Sequence, residues 1–410
     1  MLQHSLDNIT VVDFTQIGAG PTCTMYLGDL GARIIKVEPP NGDIGRELGP
    51  PWVGEDSAIY VAFNRNKESI CLDMGHEEGR KIAWRLIQQA DVVVESFRPG
   101  VMERFGLDYQ KVRQEKPDIV YCSVSAYGQD GPYSRHAGVD GIVQAASGLM
   151  SLIGEAGGEP CKVQTPIVDI ATGYLAAIAV LAALYRRSRT GKGIYLDANL
   201  FSSAIALQQS SLTGYLADSR LPCKLGSAAP YSAPNEAFPT RNGWIMVAAY
   251  SPGRWEALCM ALGAAHLQHA AEFASSSQRV INRKAMRKAL IPFFIQRTTE
   301  EWVTILDGVD ILCSPVHDYD SLIEHPQLQS LDLIAKIQDQ DTDSPELHMP
   351  GFPVRASEMS HRYTYPPAIS QHADAILAWA GYSAEQISGF QASGVVRAPG
   401  ERSPPFQEPQ

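Results

Sequence analysis

The chain has 410 residues, 45% hydrophobic and 19% charged, which is enough for two well-cored domains and too apolar for a disordered or fibrous protein. A formal net charge of -11 excludes a nucleic-acid surface or an anionic membrane as the main partner, and leaves room for an anionic small molecule at a local basic patch. Seven scattered cysteines without a CxxC pair argue against a disulfide framework and a zinc site, so a reducing, cytoplasmic setting and no bound metal are expected.

No basic stretch precedes an apolar one in "MLQHSLDNITVVDF", so no signal peptide is predicted. Short β-branched runs then follow one another: "ITVVDF", "ARIIKVE", "SICLDM", "DVVVESF" and "DIVYCSVSAYG". Helical stretches such as "PTCTMYLGDLGA" and "EEGRKIAWRLIQQA" separate several of them. This alternation predicts an α/β fold with a doubly wound, Rossmann-like parallel sheet. The apolar run 167–185 contains Asp169, Thr172 and Gly173 and reads as a buried helix, formed over 171–185, rather than a membrane span. Character changes near residue 222, where "PCKLGSAAPYSAPNEAFPTRNG" reads as a long loop. It leads to a strand, "WIMVAAY", and amphipathic helices as far as about residue 310. A Pro-rich tail beyond 340 carries one helix, "ADAILAWAG". The expected division is a large domain over 1–220, a smaller α+β domain over 221–325, and a segment 326–410 returning to the large domain.

Four stretches carry possible chemistry. "IGAGPTC" (17–23), with Glu38 at the end of the next strand, is close to a dinucleotide fingerprint, but Cys23 stands where the third glycine belongs. A nicotinamide oxidoreductase, a ligand-free strand-to-helix turn, and an anion on the helix N-terminus all remain open. "RRSRTGKG" (186–193) lacks the upstream glycine and the hydroxyl of a P-loop and reads as a solvated basic turn. In "ESFRPGVMERFGLDY" (95–109), Arg98 and Arg104 flank a Pro-Gly turn at a strand's carboxyl edge, where with Phe97 they could hold phosphates and an adenine; a surface charge pattern is the other reading. Asp169 heads an apolar helix, which suits an N-cap and also suits a positioned nucleophilic carboxylate.

Taken together, "VVDFTQIGAGP", "LGDLGARIIKVEPPNGD", "NRNKESICLDM", "ADVVVESFRPGVMERFGLDY", "SVSAYGQDGPY", "QAASGLM", the Asp169 segment, "RTGKG" and "APNEAFPTRNGWIMVAA" resemble the class III CoA-transferases over nearly the whole chain. The resemblance implies an interlocked homodimer and a reaction between an acyl-CoA and a small carboxylic acid, with coenzyme A entering as the acyl-CoA substrate. It makes Asp169 the nucleophile, passing through an aspartyl-CoA thioester, with oxyanion donors expected in the backbone of Gln16 to Gly18. CoA contacts carried over from the family fall on Gln16, Ile17, Gly18, Ala19, Leu72, Met74, Ser96, Phe97 and Arg104. Arg98 is added on physical grounds, and Asp140 is placed among the CoA-facing residues. Pro39 and Gly75 replace basic residues found in some members, which shifts phosphate anchoring towards Arg98, Arg104 or Lys67. Related racemases use a histidine where this chain has Val139, so transfer is expected ahead of racemisation or another isomerisation. Succinate is the expected donor acid, and Arg241 and Arg254 are candidates to meet a distal carboxylate.

Overall fold

The computed structural model describes residues 2–338, 346–358 and 363–400. The chain forms two compact units. The first comprises the described residues of Met1–Met150, Lys162–Arg220 and Asp332–Gln410, and the second comprises Ser151–Cys161 and Leu221–Leu331.

The first unit is built on six parallel strands: β1 (Thr10–Phe14), β2 (Arg33–Glu38), β3 (Lys67–Cys71), β4 (Val92–Glu95), β5 (Val120–Ser125) and β6 (Ile194–Asn199). Their spatial order is β3-β2-β1-β4-β5-β6. The connections carry α1 (Ala19–Asp29), α2 (Glu77–Gln89), α3 (Val101–Phe105), α4 (Asp140–Ala146) and α5 (Ile167–Thr190). Successive side chains of a strand point to opposite faces, and both faces are covered here. Val11, Ile34, Val92, Val94 and Val120 face a core made with α1 and α5, through Cys23, Leu27, Val168, Ala176 and Val180. Val12, Ile35, Val37, Val93 and Tyr121 face a second core with α2 and with α6 (Ala373–Trp379), through Ile82, Leu86, Ile376 and Leu377. Burying each such aliphatic side chain stabilises the fold by about 1.5–3 kcal/mol relative to leaving it exposed. That double burial is why the central strands carry apolar residues at successive positions.

Strand order reverses between β1 and β4. In sheets of this type ligands lie outside the carboxyl ends of the strands at that reversal. Those ends are Phe14 and Glu95, so the turns starting at Thr15 and Ser96 flank the crevice.

The helix α5 starts at Ile167, earlier than the expected 171, and ends at the left-handed Gly191, with Arg187 and Arg189 in its last turn favouring the negative end of the helix dipole. Long and apolar enough to cross a membrane, it buries only one face, and Ile178 and Tyr185 on the other are 62% and 68% exposed. The expectation of a wholly buried helix is corrected accordingly.

In the second unit, β7 (Asn235–Pro239), β8 (Trp244–Ala248) and β9 (Leu312–Pro315) form an antiparallel sheet in the order β9-β8-β7. Phe238, Ile245, Val247, Trp255, Phe294 and Trp302 make its core. The stretch 222–243, expected as loop, therefore contains a strand. The tail beyond 340, where one helix was expected, also holds β11 (Leu347–Pro350), which pairs with β10 (Ile334–Ile337) just before it, and a second helix, Ala384–Ala392.

Candidate active site

The turn after β1 is held from beneath by buried charge. Asp13 Oδ1 accepts the Thr15 N–H at 2.8 Å, and Oδ2 accepts from Thr24 Oγ1 at 2.6 Å and Lys67 Nζ at 3.1 Å. Burial pushes the Asp13 carboxyl up, but Lys67, Lys36 and the two threonine hydroxyls outweigh it and hold it below the ordinary carboxylate range. Burial in turn pulls Lys67 down to about 8. Lys67 also donates to the Pro21 carbonyl, so it belongs to this support and is not offered to a phosphate.

Ile17 follows with φ of +69°, a left-handed conformation that a β-branched residue adopts only under constraint. Each N–H of the expected oxyanion loop already has a protein acceptor. Gln16 N–H donates to Ser96 Oγ at 3.1 Å, Ile17 N–H to Asp43 Oδ1 at 3.1 Å, and Gly18 N–H to the Gln16 carbonyl at 3.1 Å. The next two, those of Ala19 and Gly20 in the first turn of α1, find no acceptor among the described residues, as is normal at a helix start. The donors available to an anion therefore lie one or two residues later than expected.

Asp169 packs onto this turn. A Cβ on Gly18 would come within 2.6 Å of Asp169 Oδ2, so only glycine leaves room for the carboxylate there. A Cβ on Gly173 would lie 2.5 Å from Thr22 Cβ, and its absence lets α5 approach α1 closely enough to bring Asp169 to Gly18.

Asp169 is the third residue of α5 and does not cap it. Asp140, the first residue of α4, performs the capping from across the fold. Its Oδ2 accepts the N–H groups of Val168 and Asp169 at 2.8 and 3.2 Å, and its Oδ1 accepts from Gln144 Nε2. Gln144 is fixed in turn by both polar groups of Val163. The Asp169 carboxylate receives no hydrogen bond among the described residues. Burial, reinforced by the negative charge of Asp140, pushes its pKa up to about 7. A raised pKa means a poorly solvated, reactive anion once the proton leaves.

Gln16, Ile17, Gly18, Ala19, Ser96, Asp140 and Asp169 thus form one connected group. The remaining candidates lie along the carboxyl edge. Leu72 is fully buried in the core shared with α2, and Met74 and Phe97 pack half-buried against it. Phe97 N–H donates to Glu95 Oε2 at 2.8 Å. Arg98 and Arg104 are exposed, and neither makes an ion pair among the described residues. In the second unit, Arg241 and Arg254 are held by Glu301 and Asp310. There the loop 226–234 is pinned by Arg283, which donates to the carbonyls of Ala229 and Ser232.

Three groups escaped the sequence reading. Arg80 Nη1 donates to the Met74 and Gly75 carbonyls at 3.0 and 2.7 Å, supplying a cation beside Gly75; its position one turn into α2 was a usable signal. Arg397 Nη1 donates to the Pro40 carbonyl at 3.2 Å, and its own N–H donates to the Cys71 carbonyl, so it comes from the far end of the chain to the same edge. Glu95, buried and pushed up to about 7 mainly by that burial, lines a cavity of about 360 Å³ with Arg98, Tyr109, Ser123 and Tyr195. Nothing in "VVVESF" separates it from a structural strand residue.

A profile of the CoA-transferase family III matches residues 6–373. Human succinyl-CoA:glutarate CoA-transferase is 34% identical over 394 residues, covering 95% of this chain and 90% of the relative. Succinyl-CoA:mesaconate CoA-transferase of Haloarcula marismortui is 33% identical over 387 residues, covering 92% of this chain and 96% of the relative. The crystal structure of a CAIB/BAIF family protein from Brucella suis superimposes with a TM-score of 0.83 at 33% identity, covering 91% of this chain and 98% of that one. With a family match over most of its length, relatives that it covers almost end to end, and a shared fold, this chain belongs to the CoA-transferase family III.

Proposed function

We propose that the chain transfers CoA from a dicarboxylic acyl-CoA, succinyl-CoA first among candidates, to a second small carboxylic acid, with Asp169 as covalent nucleophile. One observation carries the mechanism: a carboxylate raised to about 7, with no hydrogen bond among the described residues, lies against Gly18 at the start of α1. The Asp169 oxygen attacks the thioester carbonyl, the C–S bond breaks, and CoA leaves as thiolate with a mixed anhydride behind it. The thiolate then attacks the aspartyl carbonyl, and the donor acid departs as carboxylate. The acceptor carboxylate attacks this aspartyl-CoA thioester and releases the thiolate again. In the last step the thiolate takes the acceptor's acyl group and Asp169 is regenerated. Protons neither enter nor leave, so no general base is needed. Each tetrahedral oxyanion would draw on the Ala19 and Gly20 N–H groups at the positive end of α1.

The choice of dicarboxylates rests on relatives named for succinyl-CoA with glutarate or mesaconate, and on one from Acetobacter aceti named acetyl-CoA:oxalate CoA-transferase. For the CoA phosphates we propose Arg98 and Arg104, with Arg80 and Arg397 supplying positive charge near Gly75 and Pro40. We also propose that the enzyme works as an interlocked homodimer in the cytoplasm, a setting that suits seven free cysteines.

Incubation with succinyl-CoA, followed by intact mass and hydroxylamine trapping, tests the mechanism. Wild type should gain the mass of aspartyl-CoA at Asp169, and Asp169→Ala should lose the adduct and at least about 1,000-fold in kcat. Full transfer by Asp169→Ala would refute it.

A further inference from the structure

The left-handed Ile17 needs something to keep it there. Lys36 and Asp43 are both fully buried and joined at 2.7 Å. Lys36 Nζ also donates to the Thr15 carbonyl at 2.8 Å, and Asp43 Oδ1 accepts the Ile17 N–H at 3.1 Å. The pair therefore grips the turn on both sides of Gln16. Asp43 is anchored further by the Gly45 N–H at 2.7 Å, and its own N–H is held by Glu38 Oε2 at 2.7 Å. Gln16 is tied to the same segment, its Oε1 accepting from the Ile44 N–H at 3.4 Å. Burial alone would pull the Lys36 pKa down, but Asp43, Asp13 and Glu38 outweigh it and keep the amine charged.

Two buried ions carry a desolvation cost that packed aliphatic residues would avoid. A left-handed β-branched residue is strained as well and persists only where its surroundings over-determine it. Both features sit directly before Gly18, which receives the Asp169 carboxylate, and Ala19, the start of α1. Released from Asp43, Ile17 would relax to negative φ and move Gly18, against which Asp169 packs, together with the first turn of α1.

We propose that Lys36 and Asp43 are positioning residues, a buried ionic brace that holds Ile17 left-handed and thereby aims the first N–H groups of α1 at the acyl group on Asp169. This deepens the transferase reading and rests on it for its kinetic consequence. Both side chains are fully buried, so neither is offered to substrate.

Glycine adopts a left-handed φ without strain, so it should make the brace redundant. The test is a double-mutant cycle of Asp43→Asn with Ile17→Gly, read in two ways. The kinetic arm uses succinyl-CoA and glutarate. Asp43→Asn should lower kcat about 10- to 100-fold, the scale of a misplaced oxyanion donor, with KM for the CoA ester changed less than about threefold. In the Ile17→Gly background the same substitution should cost less than about threefold. The structural arm is amide hydrogen exchange over residues 14–20, which Asp43→Asn should speed in the wild-type background and leave unchanged beside Ile17→Gly. Should Asp43→Asn fail to fold with Lys36 unpaired, Lys36→Met/Asp43→Asn removes both charges and is expected to give the same pattern. Equal losses in both backgrounds, or an unaffected kcat and exchange rate, would overturn the brace. If wild type moves no CoA, the transferase reading fails, and hydrogen exchange alone then decides for or against the brace.

Discussion

Asp169 enters the fold as an anion with little water around it and a second carboxylate beneath it. The sign of the pH dependence follows. Burial and Asp140 raise its pKa to about 7, so the protonated, unreactive form dominates below that value. We expect kcat/KM to fall about tenfold per pH unit below 7 and to level off above it. Asp140→Asn removes the charge but keeps an oxygen for the Val168 and Asp169 N–H groups. It should move the midpoint of that profile lower, though not to an ordinary carboxylate value, because burial remains. Its amide meets Gln144 Nε2, so a stability loss of about 1 kcal/mol should accompany the shift. A pH–rate profile of both proteins checks this, and an unmoved midpoint would show that Asp140 does not act on Asp169. At this scale the sequence singled out the carboxylate that we propose as nucleophile, because an acid heading an apolar helix is conspicuous. It could not assign the cap, since the oxygen that caps α5 comes from α4 and only folding brings the two together.

The pairing of α1 with α5 is the element on which the site depends. Gly173 and Ala19 allow the close approach, and a Cβ at 173 would meet Thr22 Cβ at 2.5 Å and the Ala19 carbonyl oxygen at 2.8 Å. Gly173→Ala should therefore push the helices apart, costing about 1–3 kcal/mol in urea unfolding and lowering kcat more than KM. Gly214→Ala is the control: it has open space around its Cβ and an ordinary helical backbone, and should be neutral or stabilising by up to about 1 kcal/mol. A Gly173→Ala protein as stable and active as wild type would show that the approach is not tight. The central parallel strands were legible because two buried faces put apolar residues at successive positions. β7 was not, since "NEAFP" is short, opens with two adjacent polar residues and ends in proline, and its pairing with β8 and the burial of Phe238 make it a strand.

For the molecule as a whole, the exposed face of α5 is the largest departure from expectation. Tyr174, Leu175, Ile178 and Tyr185 lie in water on a helix whose other face is core. The proposed homodimer would cover them. Wild type should run as a dimer in size exclusion with light scattering at micromolar concentration. Ile178→Glu should shift it towards monomer and reduce transfer, whereas on a free surface that change would be nearly silent. A monomeric wild type would remove the dimer from the proposal. Sequence alone determined the periodicities, hence the sheet type and strand directions, and the stock of chemical groups, Asp169 among them. Tertiary structure decided which groups meet. Asp140 caps Asp169's helix, Lys36 and Asp43 grip the turn at Ile17, and Arg397 reaches the edge at Pro40. Local pattern follows from steric and solvent preferences read over a few residues. A catalytic environment is set by distances of about 3 Å between residues remote in the chain, and packing alone fixes those.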